Sequence, residues 1–501
     1  MPCEFMEIAC WKQFPPFRIY SNLHHWIFPK PDIINPGKAS THPSVILFVL
    51  DSISQSNWKR YLPKTLGILK DLYNSTIFEG FTKVGDNSFP NAAAFLTGKR
   101  VQTVGYESEM ASDMSDKFFD DWPIIWKDFK QKGYVTYYAE DYPEYNLFKY
   151  LSNGFKESPT DHYFRPFWLQ LYGSFLHRRS THLCYGNQKC HQIQMEYLKE
   201  FIEAYNQKSP IFALNWLTEL GHDWLEQVSI GDLDISQFFK EQHKNLKDSF
   251  VIVFADHGHR FDPIRQSMIG RIEERMPFFS ISIPENIRKK VPKLNEIIAE
   301  NSKKLTSFWD LYITLKDILD LSTTNSWESL NSNAAQNVPH FRQYSPRGLS
   351  LLRSIPTKRN CLSAGIPEDF CICQRETQIS VLDVRVQEAA KKVVIEVNRL
   401  LEPEMEQCST LFLDKIEHAQ TFLPNEKIAF DGNAGFYVMY RVALTVKPSN
   451  AFLEGTIRHL ISDENDYTII GDINRINKYG NQSNCVNIPL LRKYCFCKNY
   501  L

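Results

Sequence analysis

The sequence predicts a doubly wound α/β domain, with helices on both faces of a mostly parallel sheet, and a smaller α+β domain after it. Two observations predict this fold. Short, continuously apolar runs alternate with segments of helical periodicity, and several of these runs end in acidic residues or histidines. A short apolar run without alternation is typical of a strand buried on both faces, as in a parallel sheet. Strands that alternate with helices favour the doubly wound arrangement.

The elements of the large domain follow in chain order. The run SVILFVLD (44–51) predicts the first buried strand, and PKTLGILKDLYN predicts a helix with Leu66, Leu69 and Leu72 on one side. Three helix–strand pairs then repeat the alternation: WPIIWKDFKQKG with YVTYYAED, EYLKEFIEAYNQ with PIFALNWLTE, and ISQFFKEQHKNLKD with SFVIVFADHG.

Changes in composition predict three regions. Residues 1–43 are rich in proline and aromatic residues without periodicity, and we expect an irregular lead-in. The α/β core covers residues 44–355 and ends in a polar, loop-like stretch. Residues 356–501 contain a helix-like segment, VQEAAKKVVIEVNRLLEP, and alternating strands such as GFYVMYRVALTV, which predicts a second, cysteine-rich α+β domain.

Composition and charge exclude some classes of protein. The chain has 501 residues, and its net charge of -1 gives no overall attraction to nucleic acids or anionic membranes. An aromatic content of 14% favours a packed globular protein over a disordered one. No apolar run approaches the ~18 residues of a membrane-spanning helix, so we expect no transmembrane segment.

The cysteines indicate an oxidising compartment. They cluster towards the carboxyl end, as in CLSAGIPEDFCIC and YCFC, without a regular zinc-finger spacing, so disulfides fit better than zinc sites. Cys184 and Cys190 bracket a segment that a local disulfide could close, and two free thiols are the alternative. Acceptor sequons at Asn74 and Asn481 indicate a glycoprotein.

The amino terminus does not fit this picture directly. MPCEFMEIACWKQFPPF has neither a basic n-region nor an uninterrupted apolar h-region, so it is not a recognisable signal peptide. Either the protein is cytosolic or its leader lies outside this sequence. The cysteine-rich tail favours the second alternative, and we expect an extracellular protein or one of the secretory pathway.

Several predicted strands end in titratable groups. In an open α/β sheet, ligands gather at the carboxyl ends of the strands, so these groups are candidates for a common site. They are Asp51, Glu140-Asp141, the segment 219–222, and Asp256-His257.

The pattern at two strand ends is typical of metal ligation. Asp256 and His257 offer a carboxylate and an imidazole, Gly258 lets the backbone turn sharply, and Asp51 adds a carboxylate from another strand. Ser88, in VGDNSFPNAAAFLTGKR, would be the fourth ligand, because a metal-bound hydroxyl loses its proton readily and becomes a nucleophile. The alternative for Ser88 is a helix N-cap.

Three motifs resemble the alkaline phosphatase superfamily, which includes phosphatases, nucleotide pyrophosphatase/phosphodiesterases, sulfatases and phosphoethanolamine transferases. They are VILFVLDS, GDNSFPNAAAFLTGKR and VFADHGHR, in that order. The segment SFPN…LTG is similar to the pyrophosphatase nucleophile loop TFPN…VTG, while KGYVTYYAED, RIEERMPFFSISIP and SFWDLYITLKDIL resemble landmarks of the sulfatase branch. Residues 44–497 are most similar to an uncharacterised animal family called domain of unknown function 229.

The resemblance implies an alkaline phosphatase-like fold and one divalent metal ion, which could be zinc, manganese, calcium or magnesium. The implied ligands are Asp51, Ser88, Asp256 and His257, with Ser88 as the catalytic nucleophile. Formylglycine sulfatases need an arginine four residues after the nucleophile, and this chain has Ala92 there. The resemblance therefore favours phosphoryl chemistry through an unmodified serine.

A second metal ion is less well supported by the resemblance. Members of the superfamily usually bind it through an Asp and a His four residues apart and a later His, but Thr218 stands where the Asp is expected. Glu219, His222 or Asp223 could replace that ligand, and His259 is a candidate for the later one. Alternatively, His222 binds substrate or acts as a catalytic acid.

The expected activity is the metal-dependent hydrolysis or transfer of phosphate esters. A phosphoserine would form on Ser88, and Asn91, Arg260 and Arg265 are candidates for binding the anionic substrate, although exposed arginines with no such role are equally compatible with the sequence. Two alternatives remain: a non-catalytic extracellular binding protein with an incomplete metal site, and a sulfatase-like hydrolase without formylglycine. No nucleic-acid partner is expected.

Overall fold

A computed structural model of the chain describes residues 3–34, 36–39, 42–101, 107–111, 114, 116–174, 181–331, 347–423 and 436–500. Its largest sheet has seven strands, and the five strands from the third to the seventh run parallel. The first two strands are antiparallel to their neighbours. In sheet order, the strands are Thr76–Ile77, Phe279–Ser282, Ser249–Phe254, Ser44–Leu50, Ile211–Leu217, Val135–Glu140 and His162–Tyr163.

The central strand Ser44–Leu50 is apolar throughout because both of its faces are buried. Val45, Leu47 and Val49 pack into one hydrophobic core, whereas the intervening side chains pack into a second core on the opposite face. Each core is closed by its own layer of helices. The doubly wound arrangement predicted from the sequence is therefore confirmed.

The helices of the two layers come from different parts of the chain. Those that contribute buried residues to the first core include Ser88–Thr97, Ile125–Gln131, Lys293–Asn301 and Phe308–Thr324. Those of the second core include Gln55–Tyr61, Pro63–Asp71, Arg165–Gly173, Cys190–Tyr205 and Asp232–Leu246. Further helices of this region are Pro36–Ala39, Met268–Arg275 and Glu285–Lys290.

The carboxyl-terminal region has its own antiparallel sheet and core. Helix Val384–Leu401 packs on one face of this sheet through Val386, Val393, Val397 and other apolar residues. The five strands, in sheet order, are Thr377–Ile379, Phe412–Phe422, Tyr437–Lys447, Ala451–Leu460 and Tyr467–Arg475, and the short helix Pro489–Arg492 follows. This agrees with the predicted α+β composition, while the boundary at residue 356 stays a prediction.

Six cysteines after residue 356 form three disulfides, as predicted from their clustering, and Cys361–Cys371 packs in the first core of the α/β domain. The bonded pairs are Cys361–Cys371, Cys408–Cys495 and Cys485–Cys497. A Cys184–Cys190 disulfide is not formed; the Cys190 thiol instead lies 3.5 Å from the carbonyl oxygen of His182. The alternative of two thiols is therefore the correct one for this pair.

The lead-in is more regular than the sequence suggested. The strands Phe5–Lys12 and Phe17–His25 pair as an antiparallel hairpin, so the expectation of an irregular segment was wrong for this part. The sequence did not predict the hairpin because polar and apolar residues do not alternate regularly along its strands. Large side chains such as Trp11 and Phe14 are exposed at its tip. Within the described ranges, none of the helices combines the length and apolar character needed to cross a bilayer.

The smaller elements connect these layers. Two further pairs of short strands are Phe81–Thr82 with Thr306–Ser307 and Cys184–Tyr185 with Gln188–Lys189. The described 3-10 helices are Pro31–Ile33, Gln227–Gly231, Pro263–Gln266, Trp327–Asn331, Glu368–Phe370, Glu402–Glu404, Gly480–Ser483 and Lys498–Tyr500.

Candidate active site

Three side chains predicted as metal ligands meet at the carboxyl edge of the central sheet. Asp51 follows strand Ser44–Leu50, and Asp256 and His257 follow the neighbouring parallel strand Ser249–Phe254. One ligand atom from each of these three residues lies within 4.8 Å of the others, and all three side chains are buried. We refer to Asp51, Asp256 and His257 as the ligand cluster.

Ser88 lies beside the ligand cluster. Its hydroxyl oxygen is 3.5 Å from Oδ2 of Asp51 and 3.4 Å from Nε2 of His257. Ser88 is the first residue of helix Ser88–Thr97, and the N-cap position belongs to Asn87. The alternative prediction that Ser88 caps this helix was therefore wrong, and the four residues expected at one site are together.

In the ligand cluster, a lone pair of His257 faces a carboxylate oxygen of Asp256. Nδ1 of His257 lies 2.8 Å from the carbonyl oxygen of Gly258, which can only accept, so Nδ1 donates and Nε2 carries a lone pair in the neutral ring. That Nε2 lies 3.2 Å from Oδ2 of Asp256. This carboxylate oxygen is buried and has no hydrogen-bond partner among the described residues. Burial and the charge of Asp256 raise the pKa of Asp51.

These observations fit a divalent cation. Two buried carboxylates and an imidazole lone pair repel one another unless a positive charge lies between them. Carboxylate oxygens and an imidazole nitrogen are also ordinary ligands of zinc and related ions, and the ring of His257 is fixed in the required tautomer by Gly258. The ligand cluster, with the hydroxyl of Ser88, therefore has the composition of a metal site.

Ser52 supports the ligand cluster and was not predicted from the sequence. Its backbone N–H donates to Oδ1 of Asp256 at 3.0 Å, and its hydroxyl donates to Oδ1 of Asp51 at 2.7 Å. Ser52 has a left-handed backbone conformation, with a φ of 66°, that directs both donors towards the carboxylates. Such a conformation is uncommon for serine and is typical of a position fixed by its surroundings.

Asn91 holds the loop that leads to Ser88. Its amide oxygen accepts hydrogen bonds from the N–H groups of Val84 and Gly85 at 2.8 and 2.9 Å. Its amide nitrogen donates to the carbonyl oxygens of Gly85 and Asn87 at 3.1 and 3.0 Å. Asn91 is fully buried and positions the loop through these hydrogen bonds, so its geometry does not support the predicted role in substrate binding.

A buried ionic group surrounds Asp86, two residues before Ser88. Its carboxylate lies 2.8 Å from the guanidinium of Arg260, 3.6 Å from the ammonium of Lys493 and 4.0 Å from that of Lys83. Burial alone would raise the pKa of Asp86, but these three positive charges hold it well below its usual range. Arg260 therefore lies close to the site, and its role in substrate binding stays a prediction.

Arg265 lies in a different environment from the one predicted. Its side chain is buried, with one guanidinium nitrogen 3.1 Å from Glu454 and another 3.7 Å from Glu274. Arg271 and Arg275 also contact Glu454, so this group joins the α/β core to the carboxyl-terminal sheet. The geometry does not support the predicted role of Arg265 in substrate binding, because its guanidinium group is paired with Glu454 and Glu274 inside the protein.

The candidates for a second metal ion lie outside the ligand cluster. Glu219 accepts a hydrogen bond from the hydroxyl of Tyr172, and burial, followed by the charges of Asp141 and Asp223, raises its pKa to about 9. In the metal-free protein this carboxyl group keeps its proton at neutral pH, and Glu219 does not belong to the ligand cluster. The geometry of Glu219 therefore does not support the second-metal prediction.

His222 is half-exposed and forms an ion pair. Its Nδ1 lies 3.0 Å from a carboxylate oxygen of Asp223. Burial lowers the pKa of His222, but the hydrogen bond to Asp223 and the charge of Asp51 outweigh this effect and raise the pKa above its ordinary value. A histidine with a raised pKa carries a proton more often at neutral pH, as an acid or an anion-binding group requires.

His259 is buried, and its Nδ1 is already occupied. This nitrogen accepts hydrogen bonds from the N–H groups of Phe261 at 3.3 Å and Asp262 at 3.0 Å. Burial lowers the pKa of His259 to about 4, and the charge of His222 adds to this shift, although Asp262 opposes it. The ring of His259 is therefore neutral at physiological pH, and it lies two residues after His257 of the ligand cluster.

Comparison with known proteins gives the family. The family model described as "Protein of unknown function (DUF229)" matches residues 1–417. The chain belongs to this family. The match confirms the family predicted from the sequence motifs, and it includes the hairpin, the whole α/β core and the ligand cluster of this DUF229 chain. No curated protein matches the sequence.

Solved structures with low sequence identity also match the chain. A protein in the alkaline phosphatase superfamily from Vibrio parahaemolyticus has 12% identity and a TM-score of 0.38, covering 89% of this chain and 87% of its own. The carboxyl-terminal periplasmic domain of EptC from Escherichia coli has 13% identity and a TM-score of 0.36, covering 57% and 84%. Murine ectonucleotide pyrophosphatase/phosphodiesterase 5 has 13% identity and a TM-score of 0.35, covering 55% and 95%.

Proposed function

We propose that this DUF229 chain hydrolyses or transfers phosphate esters with the help of a divalent metal ion, using Ser88 as the nucleophile. One observation carries the proposal: the hydroxyl oxygen of Ser88 lies within 3.5 Å of both Asp51 and His257, beside a buried cluster of electron-pair donors. The resemblance of the sequence motifs to the alkaline phosphatase superfamily points to the same chemistry.

Asp51, Asp256, His257 and the hydroxyl of Ser88 would hold the metal ion. When bound, it would lower the pKa of the serine hydroxyl and neutralise negative charge on the substrate. Gly258 and Ser52 keep the three ligand side chains in the required orientation through the hydrogen bonds described above.

The residues around Ser88 suit an in-line displacement at phosphorus. The serine oxygen attacks phosphorus, the bond to the leaving oxygen breaks, and a phosphoserine remains until water or an acceptor alcohol removes the phosphoryl group. Helix Ser88–Thr97 begins at the nucleophile, so the partial positive charge of its amino end would stabilise the developing negative charge. Protonated His222 donates a proton to the leaving oxygen, and Arg260 adds positive charge nearby.

Variants at Ser88 test this proposal. Purified wild-type protein loaded with zinc, manganese, calcium or magnesium is assayed against a panel of phosphate monoesters, phosphate diesters and sulfate esters. We expect Ser88→Ala to abolish turnover while the free energy of unfolding changes by about 1 kcal/mol or less, because the side chain is only partly buried. Ser88→Thr keeps a hydroxyl and should retain partial activity, since the resembling pyrophosphatase loop has threonine there.

The panel also separates the alternatives. Equal turnover by wild type and Ser88→Ala would show that another group is the nucleophile. Turnover of sulfate esters alone would favour a sulfatase-like hydrolase without formylglycine. Wild-type protein that binds no metal and converts no ester would favour the non-catalytic extracellular binding protein.

We also propose that the chain works in the secretory pathway or outside the cell. Three disulfides support this, because such bonds persist mainly in oxidising compartments. Asn74 and Asn481 are both exposed, as glycosylation requires. Removal of N-glycans from protein secreted by cultured animal cells should increase its mobility on a gel, and substitution of both asparagines by Gln should remove that shift.

A further inference from the structure

The hydrogen bonds of His259 fix which of its ring nitrogens carries the proton. Its Nδ1 accepts from the backbone N–H groups of Phe261 and Asp262, at 3.3 and 3.0 Å. A nitrogen that accepts two hydrogen bonds cannot be protonated, so the proton of the neutral ring is on Nε2. Nε2 is therefore a hydrogen-bond donor, and it has no lone pair to offer to a metal ion.

This donor has no partner among the residues that the structure describes. Nε2 of His259 is buried, and the whole residue is only 5% exposed. Buried donors in native proteins are almost always satisfied, by protein, by water or by a ligand. No described protein group accepts from this N–H, so its acceptor is water or a ligand that enters the site.

The position of His259 relative to the ligand cluster is set by Gly258. The N–H of Gly258 donates to the carbonyl oxygen of Glu274 at 2.8 Å, and a Cβ at Gly258 would lie 2.5 Å from the carbonyl oxygen of Glu273. This tight contact with helix Met268–Arg275 fixes the backbone between the two histidines. His257, two residues before His259, contacts Ser88, and the charge of His222 acts on His259.

We propose that Nε2–H of His259 donates a hydrogen bond to a non-bridging oxygen of the phosphoryl group while it is transferred to and from Ser88. The proposal rests on the proposed function. His259 is then a catalytic residue that acts as a neutral hydrogen-bond donor. This role takes the place of the metal-ligand role expected from the sequence. A donor fixed in advance in a buried site stabilises charge that develops in the transition state, with no reorganisation during the reaction. Neutral imidazole is known to act in this way in enzymes that polarise an oxygen atom.

Metal ligation by His259 would require the opposite tautomer. Nε2 would have to lose its proton and Nδ1 would have to gain one, which would place the new N–H against the N–H groups of Phe261 and Asp262. Those two backbone donors would then be left without an acceptor in a buried turn. The same turn begins the 3-10 helix Pro263–Gln266, so the change would also disturb the contacts of Arg265.

Two substitutions at His259 separate the functions of its two nitrogens. In His259→Asn, the amide oxygen can replace Nδ1 as the acceptor of the turn, but no atom replaces Nε2. In His259→Gln, the amide nitrogen can reach the position of Nε2, but the acceptor of the turn is lost. His24→Asn is the control, because His24 is exposed on the hairpin far along the chain from the site.

The variants are compared for turnover of the best phosphate ester, for metal content, for thermal midpoint and for the dissociation constant of inorganic phosphate on the metal-loaded protein. We expect His259→Asn to lower turnover by about 100-fold, the usual effect of removing one such donor, and to weaken phosphate binding by about 10-fold. Its metal content and thermal midpoint should match those of the wild type. His259→Gln should bind phosphate better than His259→Asn but unfold at a lower temperature, and His24→Asn should behave as wild type.

The following results would contradict the proposed role of His259 or decide it by a second measurement. Loss of metal from His259→Asn would identify His259 as a ligand. Wild-type turnover and phosphate affinity in His259→Asn would show that Nε2 has no role. If wild type converts no ester, the proposed function fails, but phosphate affinity still decides whether Nε2 of His259 contacts the anion. Metal-loaded wild type that binds no phosphate would exclude such a contact.

Discussion

The ammonium nitrogen of Lys493 lies 3.6 Å from a carboxylate oxygen of Asp86, and both side chains are buried. Asp86 lies in the loop just before Ser88, whereas Lys493 follows helix Pro489–Arg492, between the paired cysteines of the carboxyl-terminal region. The tail of the chain is therefore in direct ionic contact with the loop that carries the proposed nucleophile. Lys478 makes a similar contact, because its ammonium group donates to the carbonyl oxygen of Asp223 at 3.1 Å.

Lys493→Gln should destabilise the protein and reduce Ser88-dependent turnover. Removal of one partner of a buried ion pair typically costs about 3–5 kcal/mol, but Arg260 and Lys83 remain near Asp86, so we expect about 2–3 kcal/mol. Urea unfolding measures this change. Lys391→Gln is the control, because its exposed pair with Glu388 should contribute about 0.5 kcal/mol or less. Equal effects of the two substitutions would show that the Lys493–Asp86 contact contributes little.

The convergence of Asp51, Asp256 and His257 could be predicted because it depends on local rules. Each residue directly follows an apolar run, and parallel strands present their carboxyl ends at one edge of the sheet. No comparable rule brings Lys493 to Asp86, since their contact depends on how the two sheets pack together. The contact between Lys493 and Asp86 could therefore be found only from the structure.

The surroundings of Asn91 and Arg265 could not be predicted for a related reason. Both residue types bind anions when they are accessible, but the sequence does not show whether a side chain is exposed. Asn91 makes four hydrogen bonds inside its own loop, and Arg265 is buried against Glu454 from a distant strand. The N-cap assignment of Ser88 differed from the structure by one residue, which is the usual uncertainty of a helix boundary.

Asp256→Asn should reduce the metal content of the purified protein. The substitution removes the charge of a carboxylate whose Oδ2 has no hydrogen-bond partner among the described residues, so a bound cation would lose a strong ligand. A metal ion that binds only the folded state raises the thermal midpoint, and this rise should be smaller in the variant. Elemental analysis and thermal unfolding with and without a chelator measure both effects. Asp71→Asn, at an exposed helix end, should leave both unchanged. Unaltered metal content in Asp256→Asn would contradict the assignment of the ligand cluster.

Loss of the Cys408–Cys495 disulfide should destabilise the protein more than loss of Cys361–Cys371. The two bonds close loops with sequence separations of 87 and 10 residues. Loop-closure entropy predicts about 4–5 kcal/mol for the longer loop and about 3 kcal/mol for the shorter one. Paired Cys→Ser variants and denaturant unfolding test this order. Peptide mapping under non-reducing conditions should recover the three disulfides and find Cys373 as a thiol. A predominance of free thiols at the six bonded positions would argue against an oxidising compartment.

Glu219→Gln should stabilise the protein more at pH 8 than at pH 5. Burial, then the charges of Asp141 and Asp223, raises the pKa of Glu219 from its ordinary value of 4.5 to about 9. Between these two values the folded protein keeps a proton that the unfolded chain has lost. Stability therefore falls as pH rises, by up to about 1.4 kcal/mol per pH unit from this group. The glutamine side chain cannot ionise, and its amide oxygen still accepts the hydrogen bond of Tyr172.

The difference in free energy of unfolding between Glu219→Gln and wild type should thus be near zero at pH 5 and clearly positive at pH 8. Glu226→Gln, at an exposed position, should give the same small difference at both pH values. A difference for Glu219→Gln that does not change with pH would mean that this carboxyl group ionises normally in the folded protein. Metal content provides a second test, because Glu219 lies outside the ligand cluster and its substitution should leave the bound metal unchanged. Loss of metal from Glu219→Gln would restore the second-metal hypothesis that the geometry of Glu219 does not support.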